Sequence, residues 1–92
     1  MSKIEKEVIL ANKKGLHARP AALFVGLVEK FDASVTVSNG QETVNGRSIM
    51  GILMLGAAGG TSLKISVEGA QASQAMVALE EFFSKQEEEF GW

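Results

Sequence analysis

Asn39-Gly40 is the pair of residues that most narrows what this chain can fold into. Asn-Gly accepts the positive φ angles that a tight hairpin turn demands. It is flanked by Val35, Val37 and Val44, residues that favour a pleated, half-buried strand. With a two-residue turn, Val35 faces Val44 and Thr36 faces Thr43. The predicted register then agrees with the alternation of apolar and polar residues.

The other elements follow from period and punctuation. Val8 and Leu10 alternate with Ile9 in a first strand over about Glu5 to Ala11. Asn12 to Leu16 reads as a loop. Pro20 suits the first turn of a helix, where its missing N–H costs nothing and its φ is already helical. From Pro20 to about Phe31, Phe24, Leu27, Val28 and Phe31 recur at helical spacing and form one buried stripe. After the hairpin, Ser48 reads as the N-cap of a short helix ending near Gly56, with Ile52 and Leu55 facing the core. Leu63, Ile65 and Val67 alternate with Lys64 and Ser66 in a fourth strand with one wet face. Gly69 breaks the chain. Ala72 to about Lys85 is a third helix, its apolar side made of Ala75, Leu79, Phe82 and Phe83.

The order β-α-β-β-α-β-α describes a two-layer α+β domain, four short strands with three helices on one face. The same order with two helices would suggest a ferredoxin-like module, so the pattern alone leaves the topology open. We expect residues 1–92 to form a single domain, with residues 87–92 a frayed acidic tail running into Phe90-Gly91-Trp92.

Composition removes several function classes. Hydrophobic residues are 46% and charged residues 22% of the chain, which is globular and not disordered composition. Cysteine is absent, so there is neither a disulfide framework nor a thiolate metal site, and a reducing compartment fits. One histidine excludes a histidine metal cluster. Net charge is −2 with scattered Lys and Arg, which argues against nucleic acid as a partner. The opening MSKIEKEVIL is charged where a signal peptide is apolar, and no run reaches membrane-spanning length. The expectation is a cytoplasmic, soluble monomer without membrane insertion, metal or cofactor.

The single histidine and the single proline stand together in His17-Ala18-Arg19-Pro20. A neutral imidazole is a nucleophile near neutral pH. Just before a helix, its ring would hang over unpaired backbone N–H groups and the positive end of the helix dipole, which is an anion site. Arg19 adds a permanently charged, bidentate phosphate donor. Phosphoryl transfer passes through a loose transition state in which positioning and charge stabilisation do most of the work. No Asp or Glu occurs from Asn12 to Val28, so the segment supplies no local base to activate water. That suits a carrier that holds a phosphoryl group over a phosphatase that hydrolyses one. From the chemistry alone, a capping histidine beside an exposed arginine stands as an equal reading.

The segment "GLHARPAA" resembles the active-site motif of the histidine phosphocarrier proteins (HPr) of the bacterial sugar phosphotransferase system. "RSIMGILMLG" resembles the serine segment of the same family and stands at the family's separation from the histidine. The resemblance covers about residues 5 to 85. It implies an open-faced β-sandwich, a four-stranded antiparallel sheet covered by three helices. It implies that His17 is the phosphoacceptor through Nδ1, charged by Enzyme I from phosphoenolpyruvate and discharged to a sugar-specific Enzyme IIA domain. Arg19 would steady the phosphoryl group, the backbone amides of Ala18 and Arg19 would share that work, and Pro20 would fix the helix start. The carrier would be modified stoichiometrically and would not itself be an enzyme. Several family members carry lysines on the outer face of the first helix; here those places hold Gly26 and Glu29, and Lys13 and Lys14 are the nearest substitutes.

The helix after Ser48 is too apolar to be half exposed without a purpose. With Ile52 and Leu55 inward, Ile49, Met50 and Leu53 turn outward as a partner-docking patch, or else add to the core. The resemblance makes Ser48 a regulatory phosphorylation site, and "SIM" matches members that meet an HPr kinase/phosphorylase and, through it, a transcriptional regulator. The plain alternative is a helix cap that no kinase touches. Three function classes remain: a general sugar phosphocarrier, a phosphocarrier of a regulatory or nitrogen-related branch, and a small ferredoxin-like acyl phosphate hydrolase or metabolite-binding module.

Overall fold

A computed structural model describes residues 3–10, 15–55 and 58–85. The elements are β1 (Lys3–Ile9), α1 (Ala18–Val28), β2 (Ser34–Ser38), β3 (Thr43–Asn45), α2 (Ile49–Met54), β4 (Ser62–Glu68) and α3 (Ala72–Ser84). The strands form one sheet in the order β1-β4-β2-β3, and every pairing is antiparallel. Three helices cover one face, so the open-faced α+β sandwich is the observed architecture. The two-residue alternation of β4 explains its central place: Leu63, Ile65 and Val67 are buried beneath the helices while Lys64 faces water.

β1 starts two residues earlier than the alternation suggests and stops at Ile9, which is exposed. Leu10 still pairs across the sheet edge: its N–H donates to the Thr61 carbonyl and its carbonyl accepts from Gly60. Its side chain is fully buried. The expected end of the strand at Ala11, the loop Asn12–Lys14, the helix end near Gly56 and the acidic tail all lie outside the described residues.

The hairpin departs from its expected register. Val37, not Val35, stands opposite Val44, and Ser38 stands opposite Thr43. The cause is the Asn39 side chain. Its Oδ1 accepts from the N–H groups of Gln41 at 2.9 Å and Glu42 at 2.8 Å, and the Asn39 N–H donates to the Glu42 carbonyl. This Asx turn draws Gln41 and Glu42 into a four-residue loop (39–42). The slip is by an even number of residues, so each side chain keeps its face of the sheet. Gly46 now lies beside Val35 and donates its N–H to that residue's carbonyl at 2.7 Å. A Cβ at Gly46 would stand 2.8 Å from Val35 Cγ1, so no larger residue fits without movement.

α1 begins two residues before Pro20 and closes at Val28, where Lys30 and Phe31 donate to the carbonyls of Leu27 and Val28 in tighter i→i−3 turns. Phe24 of α1 meets Phe82 and Phe83 of α3 with ring centroids 6.0 and 5.8 Å apart, and those two rings meet edge to face at 5.3 Å. Asp32 and Gln71 close the base of the helical layer reciprocally: the Asp32 N–H donates to Gln71 Oε1, and the Gln71 N–H donates to the Asp32 carbonyl. No helix is long and apolar enough to cross a membrane among the described residues.

Candidate functional site

Gly15 takes φ +66°, and Leu16 anchors the approach to α1 by burying its side chain. His17 follows in extended conformation as the N-cap, and its carbonyl accepts the N–H of Ala21 at 3.0 Å, the first bond of the helix. Its side chain makes no capping hydrogen bond. A histidine that caps with its ring would show one, so the simple capping role is not what the ring does. The residue is half-buried, and Nε2 is enclosed with no hydrogen-bond partner among the described residues.

The helix entrance beside it is electropositive by construction. Ala18 and Arg19 are the first two residues of α1, so neither amide has an acceptor within the helix. Pro20 has no N–H, is buried, and fixes the φ of the first turn. No acidic residue occupies that turn. Arg19 is exposed and has no ion pair among the described residues. An imidazole, two amides and a guanidinium without partners among the described residues thus share one helix start, an arrangement that can hold a tetrahedral dianion.

α2 packs against α1. Ser48 is its N-cap: Oγ accepts the Gly51 N–H at 2.9 Å, and the Ser48 carbonyl accepts from Ile52. Ile52 and Leu55 point into the core, as their spacing requires. Ile49 and Met50 are exposed, Met50 to 66%. Leu53 is not turned fully outward: it is half-buried and packs against the core cluster. It and Met54 flank the inward pair on opposite sides of the helix, and only the Leu53 flank is covered. Met54, 71% exposed, takes its place in the patch. The i, i+4 spacing of Met50 and Met54 was the signal for this.

Arg47 is the residue that sequence reasoning passed over. Its guanidinium donates from Nη1 to the Ala33 carbonyl at 2.9 Å and from Nη2 to the Phe31 carbonyl at 3.0 Å. Its own N–H donates to Asn45 Oδ1. The segment that presents Ser48 is thereby tied to the segment leaving α1. No group of three or more His, Cys, Asp or Glu residues is placed to hold a metal ion among the described residues. Among the described residues, the displaced titration lies away from this site. Glu5 on β1 is held below the usual carboxylate range, first by the Ser66 hydroxyl that donates to it, then by the Lys64 and Lys3 ammonium groups.

Comparison with known proteins places this geometry. Residues 4–85 match the family model described as "PTS HPr component phosphorylation site". The phosphocarrier protein HPr of Xylella fastidiosa (strain 9a5c) is 41% identical over 80 residues, 87% of this chain and 90% of that protein. The HPr of Pseudomonas aeruginosa is 42% identical over 84 residues, 90% of this chain and 93% of that protein. The crystal structure of HPr from Bacillus anthracis superposes with a TM-score of 0.84 at 38% identity, covering 90% of this chain and 99% of that one. With the sheet order, the helical layer and the sequence match in agreement over most of its length, the chain belongs to the HPr family and is a phosphocarrier protein of the phosphotransferase system.

Proposed function

We propose that His17 accepts one phosphoryl group from Enzyme I through Nδ1 and passes it to Enzyme IIA domains during sugar uptake. The observation that carries this reading is the orientation of His17 at the mouth of α1: Nε2 is enclosed and the ring makes no cap, beside the unpaired amides of Ala18 and Arg19. The Nδ1 lone pair attacks phosphorus, the P–N bond forms, and the bond from phosphorus to the donor breaks with its electron pair leaving on the donor. The amides of Ala18 and Arg19 and the Arg19 guanidinium carry the charge on the phosphoryl oxygens as it spreads. With no acidic group in the first turn, water finds no local base there, and the phosphohistidine survives until an acceptor docks. The protein is consumed and regenerated one phosphate at a time and is not an enzyme in its own right.

Ile49, Met50 and Met54, with the half-buried Leu53 at the edge, form the surface on which Enzyme I and Enzyme IIA dock in turn. Ser48, at the rim of that surface, is the regulatory phosphorylation site for a kinase of the HPr kinase/phosphorylase type. A dianion there gains from the helix N-terminus while opposing desolvation of the patch, and it offers a transcriptional regulator a new surface. The carrier works as a cytoplasmic monomer.

Incubation with Enzyme I and phosphoenolpyruvate, followed by intact mass, tests the assignment. One phosphoryl group, labile in acid and stable in alkali, is expected on the parent chain, and none on His17→Ala. Phosphoenolpyruvate-dependent labelling that persists in His17→Ala removes His17 as the acceptor. Catalytic turnover of an acyl phosphate would instead favour a hydrolase.

A further inference from the structure

The chain has four methionines and no cysteine. No thiol stands ready to intercept an oxidant, so the polarizable thioethers meet it first. Of the three methionines among the described residues, Met76 on α3 is 3% exposed and belongs to the core. Met50 and Met54 on α2 are its opposite. At 66% and 71% they are the most exposed of the large apolar side chains among the described residues. The covered places on the same segment are filled otherwise: Ile52 and Leu55 are buried, and Leu53 packs against the core cluster. Branched hydrocarbons thus take the inner positions and sulfur takes the two outermost ones.

The two sulfurs act on one surface. Met50 and Met54 stand one turn apart on the same helix face, with Cβ atoms about 5–6 Å apart. A peroxide delivers one oxygen to each thioether. The sulfur lone pair attacks a peroxide oxygen, the S–O bond forms and the O–O bond breaks. The hydroxide that leaves takes the proton of the transferred hydroxyl and becomes water. Sulfur gives up two electrons and the peroxide gains them. The product is polar and chiral, and its oxygen accepts hydrogen bonds from water. Neither side chain lies in the core, so the fold tolerates the change. A partner that buries the patch does not, because it must strip water from two oxygens.

We propose that Met50 and Met54 form a paired, reversible oxidation site, and that their sulfoxides close the α2 surface to Enzyme I. This rests on the reading of α2 as the docking surface and adds a chemistry that regulates it. The oxidant is a peroxide. Methionine sulfoxide reductases, one for each sulfoxide epimer, reverse the step with a dithiol: the sulfoxide oxygen leaves as water and the two thiols join in a disulfide. His17 and Arg19 keep their groups throughout, and only the encounter with the partner is lost.

Limited treatment with hydrogen peroxide, followed by peptide mass mapping, reads the site directly. Met50 and Met54 should each gain one oxygen while Met76 gains none, and Met76 should oxidise alongside them once urea unfolds the chain. The thermal midpoint of the oxidised chain should stay near that of the parent. Phosphoryl uptake from Enzyme I should slow several-fold on oxidation and recover with the reductases and dithiothreitol. The double variant Met50→Leu/Met54→Leu need not match the parent, but its own rate should be the same before and after peroxide, which traces the loss to these two sulfurs. Met50→Glu separates the two readings. If the oxidised parent transfers at full rate while Met50→Glu is slowed, the docking surface stands and the oxidation site does not regulate it. If both transfer at full rate, the docking reading falls as well. Oxidation of Met76 in the folded chain as fast as Met50 and Met54, or an equal loss of rate in the peroxide-treated double variant, also overturns the proposal.

Discussion

Ser48 and Gly51 are matched to each other: Ser48 Oγ accepts the Gly51 N–H at 2.9 Å, and a Cβ on Gly51 would stand 3.2 Å from that same oxygen and 3.1 Å from Val44 Cβ. A side chain at residue 51 would crowd both the cap oxygen and Val44. Ser48→Ala should lower stability by about 1 kcal/mol, the usual cost of losing an N-cap oxygen, measured by urea unfolding. Ser48→Asp retains an acceptor at the cap and should unfold near the parent midpoint. If Ser48 regulates docking, the same Ser48→Asp chain accepts phosphate from Enzyme I more slowly than the parent. Equal rates for the two chains would leave Ser48 as a helix cap and nothing more.

Arg19 is exposed at the second position of α1, so its removal separates chemistry from folding. Arg19→Ala should slow transfer to and from His17 by one or more orders of magnitude, each tenfold being about 1.4 kcal/mol of transition-state stabilisation. The unfolding midpoint should stay close to that of the parent. Rapid-quench measurement with Enzyme I and with an Enzyme IIA domain checks both directions. Unchanged rates in both would take Arg19 out of the site.

Met50 and Leu53 lie on one short helix but answer differently to the same substitution. Met50 is 66% exposed, whereas Leu53 packs against the core cluster. Met50→Glu should weaken binding to Enzyme I and leave the melting temperature nearly intact. Leu53→Glu should cost roughly 1–3 kcal/mol of stability, because it puts a carboxylate against apolar neighbours. Calorimetric titration with Enzyme I and thermal unfolding of both variants give four readings. Normal binding by a destabilised Met50→Glu would move that residue into the core.

The contrast between those two residues shows what a sequence can disclose. β4 and α3 were legible because a single period governs each: every second residue of Leu63-Val67 is buried, and the stripe of Ala75, Leu79, Phe82 and Phe83 is buried throughout. The start of α1 was legible because Pro20 restricts where a helix can begin. The hairpin register was not, since the choice between a two-residue and a four-residue loop was made by one amide side chain bonding forward. Leu53 and Met54 are equally apolar in sequence, and only the packing of neighbouring elements covers one and leaves the other. The role of Arg47 was out of reach for a similar reason. Its acceptors are backbone carbonyls 14 and 16 residues away, and carbonyls carry no signature in sequence.

The depressed titration of Glu5 makes a statement about acid. The Ser66 hydroxyl, then Lys64 and Lys3, favour the ionised carboxylate in the folded protein. A carboxylate whose pKa is lower folded than unfolded stabilises the fold above its unfolded pKa, and that contribution fades as pH falls through the folded value. Ser66→Ala removes the largest cause. It should lower stability at neutral pH by the lost hydrogen bond, and the difference from the parent should close as pH falls through the folded value of Glu5. The Glu5 side chain is 40% exposed, so the effect is small and shrinks further with added salt. Urea midpoints from acid to neutral pH for the parent, Ser66→Ala and Glu5→Gln check it. Identical acid limbs for the parent and Glu5→Gln would show that Glu5 titrates alike in folded and unfolded chains.

Arg47 joins stability to the presentation of Ser48. Its guanidinium is planar and forked, and it reaches the Ala33 and Phe31 carbonyls at once from two nitrogens. Lysine has one nitrogen at the end of a flexible stem and cannot reproduce both bonds in that geometry. Arg47→Ala should cost about 1–2 kcal/mol, less than a fully buried charged hydrogen bond because water can reach the Phe31 carbonyl. Arg47→Lys should recover only part of it. The loop from Asn45 to Ser48 is held on one side by Arg47 and on the other by Asn45, whose Oδ1 takes the Arg47 N–H at 2.8 Å. Loosening it should raise amide hydrogen exchange at Ser48 and Gly51 and slow modification of Ser48 by a kinase of the HPr kinase/phosphorylase type. Phosphate uptake on His17 should be unaffected, since none of the Arg47 bonds reaches the α1 entrance. Exchange at Gly51 that stays at the parent level in Arg47→Ala would show that the N-cap holds its loop unaided.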